Sequence, residues 1–305
     1  MTILELIDAA ASRLDAAHLS FGHGTSNAFD EAAWLVLWKL GLPLDTQLAE
    51  PGDAPAIVSA RQQAQVRELI EERIRSRRPA AYITGEAWLQ GLAFHVDQRA
   101  IVPRSLIAEP LASGALDCWL PTQASRLLDL CTGGGSLAIL AALAWPELAV
   151  DASDLSADAL EVAAINVERH GMQSRIRLWR GNGMEAVPGP YDLILCNPPY
   201  VNAESMQTLP AEYLAEPRLA LDGGSDGMDF IRRLLRDAPA KMSSDAALVL
   251  EIGNERHHFD AAFGALEAVW IDTSAGSDQV CVLTRGVLAA QWKKDALSAS
   301  ALKQA

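Results

Sequence analysis

Asn197-Pro198-Pro199-Tyr200 directly follows an apolar, strand-like run, "YDLILC", at residues 191–196. An amide, two imino acids and an aromatic ring at the end of a strand are parts suited to gripping a planar nitrogen. Such a nitrogen has a delocalised lone pair and is a poor nucleophile, so it needs alignment more than it needs a strong base. Its two N–H groups call for two facing acceptors, which the Asn197 side-chain oxygen and the Pro198 carbonyl can supply. Each proline holds its own φ near about −65° and turns the residue before it away from the helical region, so the acceptors are set in advance. Tyr200 can pack on the planar group and keep water out. Asn197, Pro198 and Tyr200 are therefore candidate catalytic residues, and Asn197, Pro198, Pro199 and Tyr200 candidate substrate contacts. The chemistry would be alignment plus electrostatic support of a nitrogen that becomes positive. A plain turn also begins with Asn-Pro, but it needs neither the second proline nor the tyrosine.

A second group lies earlier. "LLDLCTGGGSLAIL" puts Gly133, Gly134 and Gly135 between a short strand and a helix, where the backbone must turn sharply and approach a ligand closely. The next strand ends at Asp154, placed to accept hydrogen bonds from ribose hydroxyls or, alternatively, to cap the following helix. A dinucleotide fingerprint needs a third glycine where this chain has Ala138. With Asp129 opening the loop, the pattern resembles that of S-adenosylmethionine (SAM) methyltransferases. The resemblance implies SAM as cofactor, with Asp129 and the glycine backbone near its methionine part and Asp154 on its ribose. The cofactor candidates are Asp129, Thr132, Gly133, Gly135, Asp154, Asn182 and Asn197.

Elements able to position these groups can be read from periodicity. Residues 1–85 look helical: Val66, Leu69, Ile70 and Ile74 share a helical stripe, and Arg73, Arg75, Arg77 and Arg78 crowd that helix's negative end rather than forming a nucleic-acid patch. Residues 86–104 suggest a hairpin linker turning at "DQR" (97–99). From about 120, strands at 126–131, 148–154, 175–179, 191–196, 246–253 and 279–285 are separated by helices, which implies a doubly wound, mostly parallel sheet. Leu160, Ala163, Ala164 and Val167 form an apolar stripe in one of those helices. The expected domains are 1–85, a helical substrate-recognition unit; 86–104, the linker; 105–290, the catalytic unit; and 291–305, a tail.

Composition narrows the partners. The net charge is −14: residues 1–104 hold 10 Lys/Arg against 13 Asp/Glu, and residues 105–305 hold 15 against 26. An acidic catalytic half repels phosphate backbones and suits a basic protein. No apolar run reaches the roughly 20 residues a membrane span needs, and the N-terminus has no basic leader, so a cytoplasmic, non-membrane protein is expected. Cys118, Cys131, Cys196 and Cys281 lack metal-ligand spacing and read as reduced thiols; no metal is expected. His95, His257 and His258 read as surface or structural residues.

Asn-Pro-Pro-Tyr after the fourth strand is similar to the motif of SAM-dependent methyltransferases that act on planar nitrogens. "RRPAAYITGEAWLQGLAFHVDQRAIVPRSLIAEPL", "CNPPYVNAESMQTLPAEYLAEPRLALDGGSDGMDFIRRLL" and "LVLEIGNERH" resemble the bacterial protein-(glutamine) methyltransferases over roughly residues 21–292. That resemblance implies a Rossmann-like, seven-stranded α/β domain behind a small helical domain. One branch of the family methylates the Gly-Gly-Gln glutamine of release factors, the other a glutamine of large-subunit ribosomal protein three. Pro103-Arg104-Ser105 replaces the Pro-Arg-Pro of the former, and residues 23–45 with Cys131-Thr132 look like the latter, the expected partner. Nucleic-acid amines and a SAM-binding assembly role are the more distant alternatives. Glu216, which matches the family, is expected to order the loop over the substrate, while Arg104 and Glu109 match without an assigned role. Asn182 stands where the family commonly has an acidic residue, and its oxygen can still accept from an adenine amino group.

Overall fold

Helix-start chemistry builds the first unit. Thr2 and Glu5 form a reciprocal capping box at the start of α1 (Ile3–Ala16), and Ser59 with Gln62 repeats it at α3 (Ala60–Ser76). Between them α2 (Ala28–Leu40) starts at Asn27, whose side chain accepts from the Asp30 amide, and stops at Gly41 in the left-handed region. With the short α4 (Ala80–Thr84) these helices bury a core that includes Leu14, Leu35, Val66 and Ile70. The computed structural model describes residues 1–48 and 57–291, so the expected tail lies outside the described residues except for Gln291.

A hairpin follows, β1 (Glu86–Leu89) against β2 (Leu92–His95). It turns at Gln90 and Gly91, both with positive φ, and not at residues 97–99 as the apolar pattern suggested. Those residues form a separate turn in which Asp97 accepts from the Arg99 backbone and guanidinium. The hairpin joins two cores: Ala87 and Val96 pack with the N-terminal helices, while Phe94 packs into the catalytic unit.

After α5 (Ala108–Ala112), the chain alternates β3 (Arg126–Leu130), α6 (Ser136–Ala144), β4 (Ala149–Asp154), α7 (Ala157–Arg169), β5 (Ile176–Arg180) and β6 (Tyr191–Cys196). Then α8 (Ala203–Thr208), α9 (Ala211–Leu214) and α10 (Asp229–Asp237) lead to β7 (Met242–Glu251), α11 (Arg256–Phe263), β8 (Val269–Thr273) and β9 (Gly276–Thr284). The seven-stranded sheet runs β5-β4-β3-β6-β7-β9-β8, parallel from β5 to β7, with β9 antiparallel to both its neighbours. β8, five residues long with half-exposed Trp270 and Ile271, is an edge strand absent from the expected set. The central strands are apolar on both sides: Leu127 and Leu193 enter one core, Leu128 and Ile194 the other.

In α7 the buried face is Ala159, Val162, Ala163, Asn166 and Val167, rotated from the expected stripe of Leu160, Ala163, Ala164 and Val167. The difference comes from Asn166, a polar residue buried for its hydrogen bonds. Its oxygen accepts from the His95 amide at 2.7 Å, and its nitrogen donates to the His95 carbonyl at 3.0 Å and the Gly134 carbonyl at 2.8 Å.

The arginines at the end of α3 also differ from expectation. Arg73 is fully buried and bonds Glu31 at 2.8 Å and Glu212 of α9 at 3.4 Å; Arg77 reaches Glu212 at 2.8 Å. Arg78 pairs with Glu72. Two of the four thus fasten the N-terminal helices to the segment after β6. Breaking a buried pair from one side leaves a charge uncompensated. Glu212→Ala should lower unfolding stability by about 3–5 kcal/mol, read as a lower denaturant midpoint.

Candidate active site

β3 and β6 are parallel neighbours with Leu130 opposite Cys196, so the loops starting at Cys131 and Asn197 leave the sheet side by side. The chain order reverses direction across the sheet here, which opens a crevice beyond the strand ends. A cavity of about 1110 Å³ occupies it, lined by Asp129, Thr132, Gly133, Asp154, Asn182 and Asn197 to Tyr200. Gly135 and Glu216 stand behind that wall. A Cβ on Gly135 would lie 3.2 Å from that of Ala163, so this glycine lets α7 approach the loop.

Each cavity group has a defined support. Asp129 is buried at the end of β3 and accepts from the Thr132 hydroxyl and from the Ala138 amide at 2.9 Å. Both bonds fall on Oδ2; Oδ1 is buried without a partner in the protein. Burial pushes this carboxyl up to about 7 against the pull of those two bonds. An ammonium group is the natural complement of an unsatisfied, desolvated carboxylate, so the donor set fits the amino-acid end of SAM.

Asp154 accepts from the Gly133 amide at 2.9 Å and the Ser156 amide at 2.8 Å. The capping of α7 falls to Ser156, whose hydroxyl accepts from the Ala159 amide. Asp154 is thereby oriented by the glycine loop and keeps lone pairs for a ribose. Asn182 is exposed at the cavity edge, its oxygen 3.4 Å from Arg233 Nη1. Among the described residues, no hydrogen bond within the protein engages the Asn197 amide.

Tyr200 is held in a backbone mould. The Gly253 backbone has φ +54°, and a Cβ there would lie 2.8 Å from the phenol Cζ. A Cβ on Gly223 would meet the Tyr200 carbonyl carbon at 2.8 Å, and one on Gly227 would collide with the carbonyl oxygen. The hydroxyl donates to Glu251 Oε1 at 3.1 Å. Burial first and the Glu251 charge second push the phenol well above its ordinary range, so it stays neutral. Glu251 and its glycine were passed over in sequence, although a glutamate closing an otherwise apolar strand was the visible signal.

Behind the wall, Glu216 binds Arg104 through two contacts of 2.6 Å and accepts from the Val102 amide at 2.9 Å; His23 Nε2 lies 3.4 Å away. Burial is the largest influence and opposes its ionisation, but the Arg104 charge and the hydrogen bonds from His23 and Arg104 together outweigh it and hold the carboxyl down at about 2. Tyr213, between Glu212 and Glu216, packs on His23 with ring centres 4.4 Å apart and lies under the Arg104 guanidinium. His23 and Tyr213 carried no local signal, since their contacts span distant parts of the chain. Glu109 instead accepts from Ser274 in the turn between β8 and β9.

Comparison with known proteins agrees with this geometry. Residues 111–250 match the family described as Methyltransferase small domain. A ribosomal protein uL3 glutamine methyltransferase of Bordetella pertussis is 56% identical over 287 residues, 93% of this chain and 95% of the relative. One from Burkholderia pseudomallei is 49% identical over 294 residues, 92% and 94% of the two chains. The crystal structure of the hMettl16 catalytic domain in complex with MAT2A 3'UTR hairpin 6 superposes with TM-score 0.51 at 12% identity, covering 78% of this chain and 86% of that one. At that identity the likeness is one of fold.

Two outcomes follow from the support just described. An Asp129 that holds an ammonium must be ionised, so SAM affinity measured by calorimetry should weaken as pH falls below about 7. The slope should approach about tenfold per pH unit, and Asp129→Asn should abolish it. Gly253→Ala should displace the Tyr200 ring, lowering turnover by at least about tenfold while SAM affinity is kept.

Proposed function

We propose roles for these residues from the premise that this chain belongs to the ribosomal protein uL3 glutamine methyltransferase family. It transfers a methyl group from SAM to the side-chain amide nitrogen of a glutamine in ribosomal protein uL3. The observation that carries the assignment of roles is the unengaged Asn197 amide, presented beside the glycine loop in a cavity of about 1110 Å³. When bound, SAM supplies a sulfonium-activated methyl group.

Asp129 Oδ1 and the backbone of Thr132 and Gly133 hold the amino-acid end of SAM, Asp154 its ribose, and Asn182 its adenine. The Asn197 side-chain oxygen and the Pro198 carbonyl accept the two N–H groups of the glutamine amide, which fixes the nitrogen in line with the methyl group. Pro199 keeps the loop rigid, and Tyr200 covers the amide and excludes water. As the N–C bond forms and the S–C bond breaks, the nitrogen becomes positive. The same two oxygens would stabilise that charge, and the surplus proton would pass to solvent water as the product leaves the site. Alignment and charge support thus replace a general base.

Glu216 acts on the substrate side indirectly, by fastening Arg104 and the linker behind Tyr213. Residues 1–85 form the substrate-recognition domain, 86–104 the linker and 105–290 the catalytic domain. The excess of acidic residues over 105–305 suits a basic ribosomal protein, met in the cytoplasm before it is built into the subunit.

Purified protein incubated with labelled SAM should label uL3 and leave a release factor unlabelled; the reverse pattern would overturn the substrate assignment. Asn197→Ala should reduce labelling by at least about 100-fold with SAM affinity changed by less than about threefold.

A further inference from the structure

We propose that Glu251 is a positioning residue that fixes the direction of the Tyr200 hydroxyl, so that an oxygen acceptor and not a donor faces the reacting nitrogen. The inference rests on the reading above that the substrate amide sits at Asn197 beside Tyr200.

Glu251 ends β7, the strand next to β6. Leu250 is opposite Cys196, so Glu251 and Asn197 leave neighbouring strands at the same level. The glutamate is 3% exposed and lines the cavity. Its Oε2 accepts from the Ser105 hydroxyl at 2.6 Å and the Leu106 amide at 2.9 Å, and its Oε1 accepts from Tyr200 at 3.1 Å. All three donors are neutral groups.

Burial pushes the Glu251 carboxyl up against the pull of the Ser105, Tyr200 and Leu106 donors, and in its ionised form it can only accept hydrogen bonds. The phenol then donates to Glu251, which commits its proton to the carboxylate and leaves the oxygen lone pairs for other groups in the cavity. Glycines already fix the other degrees of freedom of Tyr200: Gly253 lies against the ring, and Gly223 and Gly227 lie against its carbonyl. The hydroxyl torsion is what remains, and Glu251 sets it. A donor turned toward a nitrogen that gains positive charge would oppose the transition state, whereas a lone pair supports it. Ser105 and Leu106 hold the carboxylate itself, which links the start of α5 to the orientation of the phenol.

Glu251→Gln tests this with little change of shape. The amide oxygen can still receive Ser105 and Leu106, but the NH₂ group then donates to Tyr200 and turns the phenol proton around. Methylation of uL3 should lose at least about 30-fold in kcat, with KM for uL3 and affinity for SAM changed by less than about threefold. In a Tyr200→Phe background, where no hydroxyl remains to orient, the same substitution should change kcat by less than about threefold. Unchanged kcat in Glu251→Gln, or an equal loss in both backgrounds, would overturn the proposal. If Glu251→Gln does not fold, Ser105→Ala carries the test. Its loss of kcat should likewise vanish in the Tyr200→Phe background, and an equal loss or none overturns the proposal. Wild-type protein inactive on uL3 would refute the substrate reading; active wild type with an indifferent Glu251→Gln would refute only this inference.

Discussion

Burying a carboxylate is costly unless a cation or several donors come with it, and Glu212 and Glu216 turn that cost into assembly. The two stand on either side of Tyr213. Glu212 draws Arg73 and Arg77 out of the N-terminal helices, and Glu216 draws Arg104 out of the linker, with His23 beside it. The segment that follows Asn197-Pro198-Pro199-Tyr200 is thus gripped by parts of the chain more than a hundred residues away. The wall of the cavity and the N-terminal core cannot be positioned independently.

The same economy runs through the catalytic side. Asp129, Asp154 and Glu251 are each oriented by backbone amides or hydroxyls, and none has a basic side chain as its hydrogen-bond partner. Burial pushes all three carboxyls up, so a cation that enters the cavity favours their ionised forms. A sulfonium, an ammonium and a nitrogen turning positive are all of that kind. The phenol of Tyr200 stays neutral among them, so the site is built to receive positive charge and has no need to remove a proton first.

Sequence made the catalytic loops legible because their chemistry is local. Asn197 to Tyr200, the glycine loop and Asp154 each announce themselves by residue type at a strand end, and the sheet brings those ends together as alternation implied. What stayed hidden was non-local. Asn166 stood outside the expected stripe of Leu160, Ala163, Ala164 and Val167, and its burial follows from an amide bonded to His95 and Gly134. The arginines of α3 looked like helix-end cations because their partner, Glu212, lies 139 residues beyond Arg73. The hairpin was placed a few residues late because its turn is made by left-handed backbone at Gln90 and Gly91, while side-chain pattern alone favoured residues 97–99. β8 is an edge strand whose apolar part, Val269 to Ile271, is too short to be told from other short apolar runs by periodicity.

Backbone, not side chain, forms the surface against which Tyr200 lies. Three glycines have nothing to exchange for a slightly larger or smaller group, so this part of the cavity cannot be reshaped in small steps. Leu219, which also lines the cavity, is different: it is 53% exposed and belongs to neither core. Variation is therefore channelled outward. A side chain there can change size without disturbing the backbone that holds Tyr200.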